Sequence, residues 1–237
     1  MLRPMAIWRV LPHRPIERLT ENLWRVEGDL DGMPLKRVMT VAKRADGALV
    51  IHNAMALEDA AMREIEAWGE VAFVIVPSGY HRMDAPAFHE RYPKAKILCP
   101  SGARKKVEQV VPVSGTYEDF PADEAVRFEM LDGLRGAEGV MIVRSKEGTS
   151  VVFTDALFNM PHPPGFTGFV FKHVTASSGG PRVSRVTRLF LVKDNAAFRA
   201  SLERLAQISD LRRIIVAHHE TVEVEPSRVL LQVASTL

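Results

Sequence analysis

Apolar and polar residues alternate through Asn22-Leu23-Trp24-Arg25-Val26-Glu27-Gly28, the period expected of a strand with one buried face. Arg37 to Ala42 and Ala48 to Ile51 continue the pattern, with Asp31-Gly32 and Asp46-Gly47 as turn signals. The first fifty residues therefore read as antiparallel strands. The period then changes: Ala61, Met62, Ile65 and Trp68 fall on one helical face, and Gly69 follows as a C-cap. Val71 to Val76 is a solid apolar run, suited to a strand covered on both faces. Asp84 is placed to cap a short helix that has Pro86 in its first turn and ends before Pro93. Lys96 to Cys99 is a further strand, and Ser101 to Val111 reads as a helix.

Val113 to Asp123 is dominated by turn-formers and acids and reads as a surface loop. Three strands follow, Val126 to Leu131, Val140 to Arg144 and Ser150 to Thr154, the last two turning at Glu147-Gly148. Met160 to Gly180, rich in Pro, Gly and Ser, reads as a long loop of the functional or mobile kind. Val183 to Val192 reads as extended. Asp194 then caps a helix to about Ile208, and Ile214-Ile215-Val216 is the last clear strand. Residues 1–20, rich in Arg and Pro, form an expected N-terminal arm. No change of composition marks a linker, so the expectation is one domain over residues 1–237.

Composition narrows the function classes. A formal charge of +2 on 237 residues is too slight to argue for nucleic acid or a membrane surface as the main partner. No apolar run approaches the roughly 20 residues needed to span a bilayer, and MLRPMAIWRVLPHRP is broken by Arg and Pro where a signal peptide needs an apolar core. A cytoplasmic location is the expectation. Cys99, the single cysteine, excludes an intramolecular disulfide and suits a buried strand position. Neither a G-x-S-x-G elbow nor a Gly-rich phosphate loop with its Lys is present.

Chemistry gathers at strand ends. VVFTDALF, Val151 to Phe158, puts Asp155 just past a buried strand, where layered α/β folds bind ligands. The segments around His52, His81 and His218 also run from apolar strand into polar residues. If these ends meet at one rim, that rim is the site. Each residue has a plainer role open to it: Asp84 as a helix cap, His81 as a loop histidine bonded to backbone, His52 as a buried side chain. His219 competes with His218, and His162 and His173 read as surface residues of the long loop.

Together these segments resemble the metallo-β-lactamase superfamily, over roughly residues 20 to 225. Leu49-Val50-Ile51-His52-Asn53 is similar to the family's early strand. Phe73 to Asp84 lies where the family carries H-x-H-x-D-H, Phe153-Thr154-Asp155-Ala156-Leu157-Phe158 resembles its G-D-x-L-F segment, and Ile214 to His219 its closing strand with a G-H-G ligand. The resemblance implies an α+β, αβ/βα four-layer sandwich of two facing mixed sheets flanked by helices. The triplet of histidines is degraded: with His81 at the second position, Gly79 stands at the first and Asp84 where the third belongs. Leu131 to Gly136 also lacks the His before the bridging Asp. The nearest resemblance is therefore to the DUF4336-type branch. It implies a reduced set of His81, Asp84, Asp155 and His218 holding one zinc, iron or manganese ion, with Asp155 and His218 at the catalytic centre of a hydrolase for an ester, thioester or similar acyl substrate. The alternative is a metal-free, non-catalytic relative that binds a small molecule or a protein partner.

Overall fold

The computed structural model describes residues 6–237. Strands β1 (Glu17–Thr20), β2 (Leu23–Leu30), β3 (Met33–Lys43) and β4 (Leu49–His52) are antiparallel neighbours, as the alternating pattern predicts. Helix α1 (Asp59–Trp68) carries the chain to β5 (Val71–Ile75), α2 (Ala85–Arg91) to β6 (Lys96–Cys99), and α3 (Arg104–Val107) to β7 (Gly115–Thr116). From β4 to β7 the pairing is parallel, so seven strands stand in sequential order in one sheet. Strands β8 (Val126–Met130), β9 (Gly139–Ser145) and β10 (Gly148–Phe153) make an antiparallel meander. Then β11 (Phe158–Met160), helix α4 (Gly165–Phe169) and β12 (Gly180–Arg182) form a small excursion in which β11 and β12 pair. Helices α5 (Arg185–Phe190) and α6 (Asn195–Ala206) lead to β13 (Leu211–Val216), which joins β10 in parallel, and α7 (Pro226–Ala234) follows.

The layering follows from side-chain alternation. On β4, Val50 faces inward between the two sheets while Leu49 and Ile51 face outward; on β13, Ile215 faces inward while Ile214 and Val216 face outward. The inner layer joins Phe73, Ile75 and Leu98 of the large sheet to Met141, Val152 and Ile215 of the four-stranded one. Outside the large sheet lie Met62 and Ile65 of α1 and Phe88 of α2. Outside the other lie Phe198 and Leu202 of α6 with Leu230 and Val233 of α7. Helix, sheet, sheet, helix is the four-layer αβ/βα order. Helix α1 has no side-chain cap, but Met62 and Ile65 are fully buried, each worth roughly 1.5–3 kcal/mol. Packing, more than capping, holds that helix.

Several expectations change. Residues 6–16 of the expected arm lie on the body, with Trp8 stacked on Phe88 at 4.9 Å and its Nε1 donating to the Leu57 carbonyl, and β1 occupies 17–20; residues 1–5 of that arm lie outside the described residues. The Ser101–Val111 helix is shorter: a tight turn at Ser101–Ala103, then α3. The expected loop from Val113 contains edge strand β7 and a turn closed by reciprocal Thr116–Asp119 hydrogen bonds, which sends Tyr117 into the core. Val183–Val192 is helical rather than extended over 185–190, because Ser184 Oγ accepts the Thr187 N–H at 3.0 Å and starts a turn. The long loop holds α4 and a wide helical turn at Val170–Val174. Among the described residues no helix is long and apolar enough to cross a membrane.

One buried polar group has a measurable cost. His52 is 1% exposed, and its Nε2 has no partner among the described residues. Burial, and then the charge of His81, pushes its imidazole down to about 3. The folded protein therefore keeps His52 neutral, and unfolding lets it take up a proton once the pH drops below its ordinary value near 6.5. Stability from this residue is complete above about pH 6.5 and falls by about 1.4 kcal/mol per pH unit toward pH 3. Urea unfolding followed from pH 7 to pH 5 should show this slope, and His52→Asn should flatten it by about one proton.

Candidate metal centre

Parallel pairing sets two of the site residues side by side. Phe153 of β10 is opposite Val216 of β13, so two residues further on Asp155 and His218 leave adjacent strands at the same end. His81 arrives from the other sheet, on the segment that follows β5. The sheets are joined here: Val38 N–H of β3 donates to the Ala217 carbonyl at 2.8 Å. His81 Nε2 lies 3.0 Å, and His218 Nε2 3.3 Å, from the same Asp155 Oδ1. One potential ligand atom from each of the three lies within 4.8 Å of the others.

The far side of each ring is fixed. His218 Nδ1 donates to the Lys36 carbonyl at 2.9 Å. His81 Nδ1 donates to Asn53 Oδ1 at 3.0 Å, and the Asn53 amide is oriented because its Nδ2 donates to the Val38 carbonyl at 2.8 Å. A neutral imidazole has one N–H, and in both rings it faces away from Asp155. Two nitrogen lone pairs and a carboxylate oxygen then converge on one point, which requires a positive charge: added protons or a metal ion. Burial pushes the Asp155 carboxyl up, but with a proton added at Nε2 of each ring the charges and hydrogen bonds of His81 and His218 hold it well below the usual carboxylate range. Burial lowers the His218 imidazole, yet its hydrogen bond to Asp155 and the carboxylate charge carry it above its ordinary value. The donor set fits a borderline cation that accepts nitrogen and oxygen ligands.

The surroundings correct and extend the sequence reading. Asp84 is absent from the cluster: its Oδ2 accepts from Arg37 Nη1 at 2.6 Å and from the Ala56 N–H at 3.2 Å, both deep in the protein. It stands at the N-cap position of α2 but makes no side-chain cap bond. Its expected role as a metal ligand is thus replaced by a buried ion pair, because Arg37 of β3 needs a counter-charge. His219 has a left-handed backbone, φ 68°, that turns its ring back so that Nε2 accepts the Lys36 N–H at 3.3 Å. Burial, then the charges of His218 and Lys36, pushes its imidazole down to about 4. His52 lies outside the cluster, His162 binds Ser178 Oγ, and exposed His173 packs on Phe169. Burial pushes the Cys99 thiol up to about 12, which removes it as a nucleophile.

Two participants were overlooked in the sequence. Asn53, at φ 58°, occupies the left-handed position that Asn tolerates better than most residues. Glu138, just before β9, is wholly buried, and its Oε2 accepts the Ala156 N–H at 2.7 Å. Burial, then the charge of Asp155, pushes the Glu138 carboxyl well above the usual range. It offered the same signal as Asp155, a carboxylate at the boundary of a buried strand.

The cluster opens into a cavity of about 530 Å³ lined by the β2–β3 turn, the segment around Tyr80, and the chain from Phe158 to Leu191. Phe158 stacks parallel to the His218 ring, centroids 5.5 Å apart.

No family model matches the sequence, and a search of curated proteins found no match. Solved structures do match. The DIM-1 metallo-β-lactamase exposed to ceftazidime aligns with a TM-score of 0.64 at 12% identity, covering 96% of this chain and 99% of its own. A metallo-β-lactamase from Erythrobacter litoralis with mercaptoethanol in its active site gives 0.60 at 15% identity, over 94% and 96%. FIM-1 from Pseudomonas aeruginosa, in its mono-zinc form, gives 0.59 at 12% identity, over 96% of each chain. At these identities the likeness shows the fold, and the fold is that of the metallo-β-lactamases.

The Arg37–Asp84 assignment is open to a direct test. Asp84→Ala strands a buried guanidinium and should cost about 3–5 kcal/mol in chemical denaturation, whereas Arg37→Met combined with Asp84→Leu should recover most of that loss. An undiminished loss in the double variant would contradict the pairing.

Proposed function

We propose that this protein is a metal-dependent hydrolase with one ion held by His81, Asp155 and His218, acting on a small acyl substrate. The supporting observation is the convergence of two Nε2 atoms and one carboxylate oxygen with both Nδ1–H groups tied back by Asn53 and the Lys36 carbonyl. Such outer contacts fix the tautomer that leaves Nε2 free as a ligand. Three protein ligands leave a coordination position open, the pattern of catalytic rather than structural sites. Zinc, iron and manganese all accept this donor set. FIM-1, a protein of the same fold, has been crystallised with a single zinc.

A bound divalent ion supplies Lewis acidity and lowers the pKa of water toward neutrality. The chain's own residues prepare the place. Thr187 Oγ1 donates to the Asp155 carbonyl at 2.7 Å and Glu138 receives the next N–H, so the turn that presents Asp155 is held on both sides. Phe158 lies parallel to one face of the His218 ring. A metal-free binding protein is the second reading, supported by the raised His218 pKa: a protonated His218 also satisfies Asp155.

Elemental mass spectrometry of the protein, as purified and after reconstitution with zinc, iron and manganese, separates the two readings. The hydrolase reading predicts close to one ion per chain, lost in Asp155→Asn, and a roughly 10–100-fold weaker affinity in Asn53→Leu. A chain that takes up none of the three ions overturns it.

A further inference from the structure

The cavity wall restricts what can occupy it. Its cationic side chain other than the cluster histidines, Arg37, is neutralised by Asp84. Its serine and threonine hydroxyls are committed to the protein: Thr175 Oγ1 and Ser177 Oγ are 2.8 Å apart, and Ser184 Oγ lies 2.9 Å from Thr187 Oγ1, which donates to the Asp155 carbonyl. Away from the cluster, the donors left among the described lining residues are the Tyr80 hydroxyl, which itself accepts from Lys106 Nζ at 3.0 Å, and the buried, unpartnered Nε and Nη2 of the charge-paired Arg37. The rest of the wall is apolar, and at its edge apolar side chains stand in water: Phe190 is 72% exposed, Met83 57%, Met33 51% and Val186 48%. Helix α5 is inverted, burying Thr187 and exposing Val186, Leu189 and Phe190. Apolar surface of this kind, contiguous with a pocket, marks a ligand site.

We infer that the substrate is an uncharged carbonyl compound with a medium-length aliphatic chain, the chain lying against Leu35, Phe158, Phe171, Val186 and Phe190 and the carbonyl at the His81–Asp155–His218 cluster. This rests on the hydrolase reading for the reaction, but not for the binding of the chain. The cavity runs from the cluster to the exposed apolar rim, so one extended molecule touches both ends. The charge of Arg37 is already matched by Asp84, so a charged head group would find no free counter-charge in the wall, and burying it unpaired is unfavourable.

Methyl ketones separate chain recognition from hydrolysis, since they carry the carbonyl and cannot be hydrolysed. Calorimetric titration of wild type and Asp155→Asn with 2-butanone, 2-hexanone and 2-octanone should show affinity rising about fourfold per added methylene in both proteins. Val186→Asp, at an exposed position, should weaken 2-octanone at least tenfold with the melting temperature unchanged, and Phe190→Ser should weaken it in the same direction. Equal affinity for 2-butanone and 2-octanone overturns the inference, as does a dimer in sedimentation that buries the rim and excludes 2-octanone. Chain preference in a protein that takes up no metal sinks the hydrolase reading alone, and metal uptake without chain preference sinks only this inference.

Discussion

A neutral imidazole has a single proton to donate, and in this protein both cluster histidines direct it outward. Lys36 supplies a carbonyl for one ring, and Asn53, itself oriented by Val38, supplies an amide oxygen for the other. The Nε2 atoms are left facing a buried carboxylate. Everything else near the site serves that geometry. The register of β10 on β13 brings Asp155 beside His218, the left-handed turn at Asn53 brings its amide under His81, and Glu138 braces the turn after Asp155.

Charge is managed differently a few residues away. Arg37 and Asp84 form a buried pair, and such pairs add little net stability relative to apolar residues, yet removing one partner is costly. The pair leaves the cation in the cavity wall with its charge already matched. The cavity is thus polar at the histidine cluster and apolar elsewhere. That polarity gradient accounts for the inverted helix α5 better than core packing does, since its apolar side chains do not reach the core.

The fold was legible where burial dictates the pattern. Alternation through β2, β3 and β4 and the solid run of β5 reveal the large sheet, and Asp194 caps α6 as its residue type predicts, its side chain accepting from Ala197 N–H. Where apolar residues are not core residues, the same logic misleads: Val186, Leu189 and Phe190 suggested an extended segment because their helix exposes them. Helix α7 went unrecognised although Leu230, Val233 and Ala234 carry a helical spacing. In the site, Asp155, His81 and His218 could be found from strand ends. Asp84 could not be assigned, because the residue that claims it, Arg37, is 47 positions away in the chain. Asn53 acts through a backbone conformation and an oriented amide, which no residue-type pattern displays.

His81 comes from one sheet, Asp155 and His218 from the other, and the Val38–Ala217 backbone hydrogen bond joins the sheets just beside them. The cluster is therefore also a clasp. A cation seated there ties the two halves of the sandwich at their shared edge, and loosening either sheet must first release it. By mass action such a clasp adds about 4 kcal/mol when free ion exceeds its dissociation constant a thousandfold. A chain holding an ion there would resist heat in step with the metal supply of its surroundings.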